Sequence, residues 1–227
     1  MINQLVTFIK DEVTNAGKTG CVVGLSGGID SAVIVSLCKL AFPNTTYGIY
    51  MPMRNNVNGD SHKRAVELSN LKKIKSILRS IPVLEGGYSD KAKGNYHARR
   101  RMSELYLFAE ENDCLVIGTD NACENYIGFF TKHGDGGVDI NPLGKFLKSE
   151  VFELGVQLKV PASIIKAIPS AELWNGQTDE DEIGFTYEQL EGYIVGGLNY
   201  DNAIGEKIKL MHELTQHKRE LAPECPR

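Results

Sequence analysis

The segment Gly24-Leu-Ser-Gly-Gly-Ile-Asp-Ser31 contains the residue types that indicate chemistry most directly. The apolar run before it, residues 21–25, predicts a buried strand, and the apolar run after it, residues 32–42, predicts a helix. A glycine-rich turn at such a junction presents backbone N–H groups at a helix N-terminus, where the partial positive charge favours an anion. The candidate phosphate contacts are Gly24, Leu25, Ser26, Gly27, Gly28, Ile29, Asp30 and Ser31.

Asp30 stands where a phosphate-binding loop of the Gly-Lys-Ser/Thr type would carry its lysine. A bare carboxylate would repel a triphosphate. The repulsion disappears if Asp30 binds Mg²⁺, which prefers one or two carboxylates together with phosphate oxygens and stabilises pyrophosphate as a leaving group. The alternative is a tight turn in which Asp30 or Ser31 caps the helix. The flanking strand and helix favour the ATP site over the capped turn.

The elements that must position this loop follow an alternating pattern. Apolar residues at helical spacing predict a first helix between Ile2 and Val13. After the loop and its helix, strand and helix patterns continue to alternate at residues 45–51, 60–70, 74–83, 92–112 and 114–119. Alternation of this kind predicts an α/β fold with a doubly wound, mostly parallel sheet flanked by helices.

The part of the chain after Pro142 is predicted to be mainly helical. The candidate helices lie at residues 146–158, 161–168, 187–194 and 202–218. The sequence contains no internal repeat, low-complexity tract or linker, and 227 residues suit one substantial hydrophobic core. We therefore predict a single domain over residues 1–227.

Composition narrows the function classes. The net charge of -4 provides no overall basic field, so it gives no electrostatic argument for nucleic acid as a partner. The five cysteines form no Cys-x-x-Cys pair, which suits reduced, mostly buried thiols. Acids interrupt the amphipathic N-terminus, and no later apolar stretch could span a bilayer. We expect a cytoplasmic protein without membrane association.

The segment Ser26-Gly-Gly-Ile-Asp-Ser31 resembles the pyrophosphate-binding loop of the N-type ATP pyrophosphatases, which have an adenine nucleotide α-hydrolase-like fold. Three later blocks are similar to one branch of that superfamily, the ammonia-dependent NAD synthetases. The blocks are Gly94-Asn-Tyr-His-Ala-Arg-Arg-Arg-Met102, Val116-Ile-Gly-Thr-Asp-Asn-Ala-Cys-Glu124 with Gly128-Phe-Phe-Thr-Lys-His-Gly-Asp-Gly-Gly137, and Ile168-Pro-Ser-Ala-Glu-Leu173 with Gln177-Thr-Asp-Glu-Asp-Glu-Ile-Gly184. The resemblance covers nearly the whole chain.

The resemblance implies a two-step reaction. The nicotinate carboxylate of deamido-NAD attacks the α-phosphate of ATP and releases pyrophosphate, and ammonia then displaces AMP to give NAD. Adenylation turns a poor electrophile into one with a good leaving group, which divides one difficult step into two easier ones. The contribution expected of the protein is positioning and charge stabilisation.

The resemblance also implies the metal and ATP contacts. Glu124 is the second Mg²⁺ ligand beside Asp30, and Thr119, Lys148 and Ser170 contact ATP, with Lys148 neutralising charge that develops on the phosphates. From the residues alone, Glu124 could instead be an acid favoured by the helix dipole, and Lys148 could be an ordinary solvated lysine.

The contacts to deamido-NAD implied by the resemblance are Arg99, Lys132, Asp139, His217 and Lys218. The basic run 99–101 could instead be a solvated face or an RNA contact. The pair 217–218 could be an ordinary polar helix end, since cations suit helix C-termini.

The loop Lys132-His-Gly-Asp-Gly-Gly137 is too rich in glycine for the interior of a helix or strand, which fits an active-site segment. Asp135 is our candidate for holding ammonia or accepting its proton, because ammonium must lose a proton before it attacks. A turn-forming aspartate is the alternative. Asp120 is expected to be only a helix cap.

The chain departs from the family at residues 54–60, so the family's adenine and ribose contacts are not carried over to that segment. Because Met1 begins shortly before the phosphate loop, we expect no glutaminase domain and ammonia as the nitrogen source. The resemblance also implies a homodimer.

Two other functions stay open at this point. Another N-type ATP pyrophosphatase acting on tRNA or a nucleotide would use the basic run 99–101. A non-catalytic ATP-binding module would bind ATP without turnover. The negative net charge and the lack of cysteine pairs count against an enzyme that acts on tRNA. The presence of Asp30, Glu124 and Lys148 counts against a non-catalytic module.

Overall fold

The computed structural model describes residues 1–53, 59–168, 178–196 and 203–225. Strands and helices alternate through the first half of the chain, and helices follow. The strands are β1 (Gly20–Leu25), β2 (Thr46–Tyr50), β3 (Lys75–Leu78) and β4 (Cys114–Val116). The helices are α1 (Ile2–Asn15), α2 (Ile29–Ala41), α3 (Asp60–Lys72), α4 (Asp90–Glu111), α5 (Ala122–Ile127), α6 (Lys148–Gln157), α7 (Ala162–Ile165), α8 (Asp179–Ile183), α9 (Tyr187–Gly196), α10 (Ala203–Leu214) and α11 (Gln216–Arg219).

The sheet is parallel, with strand order β3-β2-β1-β4. The chain builds β1, β2 and β3 outward in one direction and then places β4 on the other side of β1. The change of direction between β1 and β4 is a topological switch point, where open α/β sheets bind ligands beyond the carboxyl ends of the strands. The predicted doubly wound parallel sheet is confirmed.

One face of the sheet is covered by the largest hydrophobic cluster. It joins side chains of α1, α2, α3 and α6 to alternate residues of β1. Helix α2 is apolar on nearly all sides, with buried residues from Ile29 to Cys38, because it lies under the other helices of this layer as well as against the sheet. Burial on all sides fixes the helix that begins at the phosphate loop.

The opposite face is covered by α4, whose Phe108 and Ala109 pack against Val22, Ile49 and Val116. A third cluster joins α5 to α9 and α10, away from the sheet. The C-terminal helices are therefore attached to the sheet domain through α5, the helix that carries Glu124. Four of the five cysteines are buried free thiols, and Cys225 is exposed.

Several predicted elements differ in extent. The predicted strand 74–83 is regular only over Lys75–Leu78, and the predicted helix 146–158 begins at Lys148 because the side chain of Glu150 accepts the backbone N–H of Leu147 at 2.8 Å. The predicted helix 161–168 is regular only over Ala162–Ile165.

The predicted helix 202–218 is divided into α10 and α11 within the part that the structure describes. The division falls at Thr215, whose hydroxyl donates to the backbone oxygen of Met211 at 2.7 Å. Such side-chain bonds compete with the helix's own hydrogen bonds. Among the described residues, no helix has the length and apolar character that crossing a membrane requires.

Candidate active site

A cavity of about 340 Å³ opens at the carboxyl edge of the sheet. Leu25 and Tyr50, the last residues of β1 and β2, line it together with Ile117, which follows β4. Helix α4 and the loop that contains Asp135 form further parts of the wall. The position at the β1/β4 switch point is where this fold class is expected to bind a ligand.

The phosphate loop forms one wall of this cavity, and its two serines hold it in shape. The hydroxyl groups of Ser26 and Ser31 lie 3.0 Å apart, the Ser31 hydroxyl donates to the backbone oxygen of Gly28 at 3.0 Å, and the Gly28 N–H donates to Ser26 Oγ at 3.1 Å. Gly28 is the N-cap residue of α2. The interpretation of Asp30 or Ser31 as the N-cap is therefore wrong, and the first turn of α2 borders the cavity without a side-chain cap.

Gly27 allows the loop to pass close to α3. Its φ is +80°, and a Cβ atom at this position would lie 2.4 Å from the backbone oxygen of Ser61. On the same side, the Nε–H of Arg64 donates to the backbone oxygen of Gly27 at 2.9 Å. The glycine is required both by its backbone angle and by the approach of α3.

Asp30, Glu124 and Lys148 meet at the edge of the cavity. Lys148 Nζ donates to Asp30 Oδ2 at 2.7 Å and to Glu124 Oε1 at 3.2 Å. The lysine side chain is 4% exposed, so the interpretation of Lys148 as a solvated lysine is wrong. The two predicted metal ligands and the predicted phosphate contact form one ion triad.

Asn121 and Tyr187 complete the hydrogen bonds of the two carboxylates. Asn121 donates to Asp30 Oδ1 from its side chain at 3.0 Å and to Glu124 Oε2 from its backbone at 3.2 Å. The Tyr187 hydroxyl lies 3.3 Å from Glu124 Oε1 and 3.2 Å from Asp179 Oδ2. Asn121 also caps α5, with its Oδ1 accepting the backbone N–H groups of Cys123 and Glu124. The cap and the ion triad are therefore one network.

Electrostatics in the triad follow from burial and from opposed charges. Burial raises the pKa of Glu124 to about 7, although the charge of Lys148 acts in the opposite direction. Burial alone would lower the pKa of Lys148, but the charges of Asp30 and Glu124 outweigh it and raise that pKa above its usual value. Lys148 is therefore a permanent cation at this site.

Asp120 is not a helix cap, contrary to expectation, because Asn121 occupies the N-cap position of α5. The Asp120 side chain is 8% exposed and borders the cavity. Burial raises its pKa well above the usual value, and the charge of Asp135 adds to the rise. A buried acid that borders the cavity is a candidate site residue that the sequence did not indicate.

Asp135 borders the cavity from the glycine-rich loop. Its Oδ1 accepts the backbone N–H of Thr131 at 2.9 Å, so it also has the predicted turn-forming contact. Surrounding protein atoms raise the pKa of Asp135, while its hydrogen bonds act in the opposite direction. Nearby, Lys218 Nζ donates to the backbone oxygens of Gly128 at 2.7 Å and of Phe130 at 2.6 Å, which fixes the start of the loop.

The residues assigned to deamido-NAD lie outside the cavity lining. Arg99 is exposed and its Nε–H donates to the backbone oxygen of Lys132 at 3.3 Å, and Lys132 Nζ in turn donates to the backbone oxygen of His217. With Lys218, these residues form a basic rim around the glycine-rich loop. Asp139 lies apart from the rim and accepts the Val116 N–H at 2.8 Å.

Arg101 reaches the cavity where Arg99 does not. Its Nε–H donates to the backbone oxygen of Met51 at 3.0 Å, and burial lowers its pKa. The basic run 99–101 indicated that an arginine contacts the substrate. Residues two positions apart on a helix point in directions about 200° apart, so the sequence did not show which arginine faces the cavity. Thr119, for which an ATP contact was predicted, lines the cavity. Ser170 and residues 54–58 lie outside the described residues.

The sequence and the fold of the chain match those of known proteins. The model of the NAD synthase family matches residues 1–222. The chain belongs to the NAD synthase family. The resemblance that its motifs indicated is therefore confirmed.

Curated relatives of this NAD synthase family member match over nearly their full length. The NH(3)-dependent NAD(+) synthetase of Mesoplasma florum is 42% identical over 231 residues, which cover 96% of this chain and 93% of the relative.

Solved structures of two relatives have the same fold. A structure described as NMN synthetase from Francisella tularensis has a TM-score of 0.92 at 40% identity and covers 99% of this chain and 96% of that chain. The NH3-dependent NAD synthetase from Campylobacter jejuni has a TM-score of 0.81 at 26% identity, with 100% and 97% covered.

Proposed function

We propose that this chain is a ligase that amidates deamido-NAD with ammonia and ATP, yielding NAD, AMP and pyrophosphate through an acyl-adenylate. Membership of the NAD synthase family and the curated relatives support this reaction. Neither an N-type ATP pyrophosphatase acting on tRNA nor a non-catalytic ATP-binding module is favoured by those relatives.

The observation that carries the proposal is the convergence of Asp30, Glu124 and Lys148 beside the phosphate loop. The N-terminus of α2 supplies backbone N–H groups for phosphate oxygens. Lys148 keeps a positive charge at the point where charge develops on departing pyrophosphate. A site that combines these groups is suited to displacement at the α-phosphate, with the nicotinate carboxylate as the attacking group.

The carboxylates of Asp30 and Glu124 fit a divalent cation. Both point toward one position, which the ammonium group of Lys148 shares. Their oxygens accept hydrogen bonds already, but a carboxylate has further lone pairs for a metal. We infer that they hold Mg²⁺ together with ATP phosphates. When bound, Mg²⁺ would neutralise phosphate charge and stabilise the leaving pyrophosphate.

The basic rim of Arg99, Lys132, His217 and Lys218 is proposed to bind the phosphates of deamido-NAD. Arg99 and His217 are exposed. Arg99 contacts Lys132 of the glycine-rich loop, and Lys132 contacts His217, which supports a shared role for these residues. Asp139 is proposed to contact the same substrate. Asp135 stays our proposal for the loop residue that helps to hold ammonia or to accept its proton.

The direct experiment incubates the protein with Mg-ATP, ammonium chloride and deamido-NAD and measures NAD, AMP and pyrophosphate by chromatography. Equal amounts of the three products are expected. The Asp30→Ala variant, assayed in the same way, is expected to release no pyrophosphate, because it lacks the carboxylate proposed to bind Mg²⁺ beside the ATP phosphates. Formation of ADP, or no product from deamido-NAD in the wild type, would contradict the proposal.

A second candidate is amidation of nicotinic acid mononucleotide, which carries the same reacting carboxylate without the AMP half. The specific observation in its favour is the likeness to the Francisella tularensis structure, whose TM-score of 0.92 exceeds the 0.81 of the Campylobacter jejuni enzyme. The names of the curated relatives favour the dinucleotide.

Substrate competition separates these two candidates. The ratio of kcat/KM for the dinucleotide and the mononucleotide is measured at one ammonium concentration. A preference for the dinucleotide of about tenfold or more, which corresponds to ~1.4 kcal/mol of transition-state binding, supports the first candidate. A preference of the same size for the mononucleotide supports the second candidate.

We also propose a homodimer located in the cytoplasm, with no nucleic acid as partner and with free ammonia as the nitrogen source. Light scattering of the purified protein tests the dimer. Assays with glutamine in place of ammonium test the nitrogen source, and no turnover with glutamine is expected.

A further inference from the structure

The residues before and after Asp120 in the sequence fix its position. The residues before it continue the sheet, with the Ile117 N–H donating to Val22 at 3.0 Å and the Gly118 N–H donating to Ile140 at 2.8 Å. The residue after it, Asn121, caps α5 and binds Asp30. The position of Asp120 is therefore determined by the sheet and by the cap, and its side chain borders the cavity with only 8% of the residue exposed.

The Asp120 carboxylate lacks a partner within residues 1–53, 59–168, 178–196 and 203–225, where no hydrogen bond or ion pair reaches it. Lys148, the cation of the triad, contacts Asp30 and Glu124 instead. A carboxylate that is buried without a partner raises the free energy of the folded protein. A cation that binds in the cavity beside it would lower that free energy.

The other acids near Asp120 strengthen the preference for a cation. The charges of Asp135, Glu124 and Asp30 all raise the pKa of Asp120, and the charge of Asp135 has the largest effect of the three. Asp30 and Glu124 share Lys148, whereas one oxygen of Asp135 is bonded to the Thr131 N–H. The charge of Lys148 acts on Asp120 in the opposite direction, but Lys148 is already bonded to the two acids of the triad.

We propose that Asp120 binds the ammonium ion that supplies the nitrogen of the amide, an inference that rests on the proposed function. Ammonium is small enough to share a cavity with two nucleotide substrates, and its N–H groups are donors suited to a carboxylate without other partners. Asp120 selects the cationic form from solution and places the nitrogen inside the cavity, beside Asp135.

Two other cations could occupy the same place. Mg²⁺ is the first of these cations. Proteins bind Mg²⁺ through one or two carboxylates together with phosphate oxygens, and Asp30 and Glu124 are the carboxylates next to the phosphate loop, so Mg²⁺ is expected there and not at Asp120. The pyridinium ring of the nicotinate group is the second. The experiment separates the three by measuring the requirement for each component.

The test compares Asp120→Asn with wild type in saturating Mg-ATP and deamido-NAD. Asparagine keeps the shape of the side chain and removes its charge. Two nucleophiles are used: ammonium, which is a cation at neutral pH, and hydroxylamine, which is uncharged there and traps the acyl-adenylate as a hydroxamate. Asp113→Asn is the matched control, since Asp113 is an exposed acid paired with Lys18.

The expected result is a rise in the KM for ammonium of about tenfold or more, the scale of one lost hydrogen bond to a charged group. Hydroxamate formation, the KM for deamido-NAD and the Mg²⁺ requirement are expected to stay near the wild-type values. The control is expected to stay within about twofold of wild type in every assay.

Other outcomes overturn the proposal. An unchanged KM for ammonium shows that Asp120 does not bind it, and a change confined to the Mg²⁺ requirement or to the KM for deamido-NAD assigns the residue to that component. If wild type forms no NAD, the proposed function fails first. If Asp120→Asn does not fold, thermal melting of wild type decides: ammonium chloride must stabilise it more than tetramethylammonium chloride at equal ionic strength, and equal stabilisation overturns the proposal.

Discussion

Lys148 and Asp30 are separated by 118 positions in the chain, and their side chains meet at 2.7 Å. The lysine begins α6 and the aspartate lies in the first turn of α2, so the ion pair joins two helices that pack together on one face of the sheet. Glu124 adds α5 to this junction through its contact to Lys148 at 3.2 Å. The proposed chemistry and the packing of three helices therefore depend on the same side chains.

Replacing Lys148 by methionine should destabilise the protein and make its stability depend on Mg²⁺. The substitution keeps the length of the side chain but leaves two carboxylates without their cation, which costs about 3–5 kcal/mol for a buried pair. Urea unfolding without metal measures the loss. Lys145→Met is the control, because Lys145 is exposed three positions earlier.

Mg²⁺ should raise the melting temperature of Lys148→Met more than that of wild type, since the metal replaces the missing positive charge between Asp30 and Glu124. An equal effect of Mg²⁺ on both proteins would show that the metal binds elsewhere. The rate of pyrophosphate and NAD formation is expected to be strongly reduced in the variant at all Mg²⁺ concentrations.

Glu124 should make the stability of the metal-free protein fall as the pH rises from about 4.5 to about 7. Burial raises the pKa of Glu124 from 4.5 in its reference state to about 7 in the folded protein. The folded protein then holds a proton that the unfolded chain has lost, so the free energy of unfolding decreases through this window.

Glu124→Gln should flatten this part of the pH profile, because glutamine cannot lose the proton. Urea unfolding at intervals between pH 4.5 and pH 7 measures both proteins. Parallel profiles would mean that other groups cause the slope. Asp113→Asn, an exposed acid far from the triad, is expected to keep the wild-type profile.

Tyr187→Phe should lower both stability and turnover, because the hydroxyl is the contact between Glu124 and Asp179. One lost hydrogen bond is expected to reduce the free energy of unfolding by about 1 kcal/mol. Urea unfolding and steady-state kinetics are the measurements. Tyr88→Phe, at an exposed tyrosine, is the control; equal behaviour of the two variants would exclude a role for the Tyr187 hydroxyl.

Gly27→Ala should abolish activity by displacing the phosphate loop. The backbone angle φ of +80° is unfavourable for alanine, and its Cβ would lie 2.4 Å from the backbone oxygen of Ser61. Pyrophosphate release measures the effect. Gly87→Ala is the control, since a Cβ there has no atom within 4 Å, and turnover in Gly27→Ala at the wild-type rate would contradict the assigned loop geometry.

Local patterns predicted the fold well. The elements from α1 to α4 were expected from hydrophobic periodicity, and the parallel arrangement followed from their alternation. Boundaries were less accurate, as at Thr215 between α10 and α11, where the Thr215 hydroxyl and N–H both donate to the backbone oxygen of Met211. Such a contact depends on one hydroxyl and does not change the apolar pattern.

The candidate site was predicted unevenly. The phosphate loop is a continuous segment, so its residues could be identified together. Asp120 was assigned to a cap, whereas Asn121 is the cap, because two polar residues before a helix give the same local signal. Tyr187 and Arg101 were not assigned to the site, since neither a tyrosine far along the chain nor the direction of one arginine in a basic run shows in the sequence.

The sequence by itself determined the parallel α/β fold, the phosphate loop and, through its motifs, membership of the NAD synthase family. These depend on residues close together in the chain, whose spacing reflects local backbone geometry. The tertiary structure decided that Lys148 lies between Asp30 and Glu124, that Asp120 borders the cavity and that Arg101, rather than Arg99, lines it. Burial and opposed charges at such positions depend on which distant segments pack together, and that packing sets the electrostatics of the site.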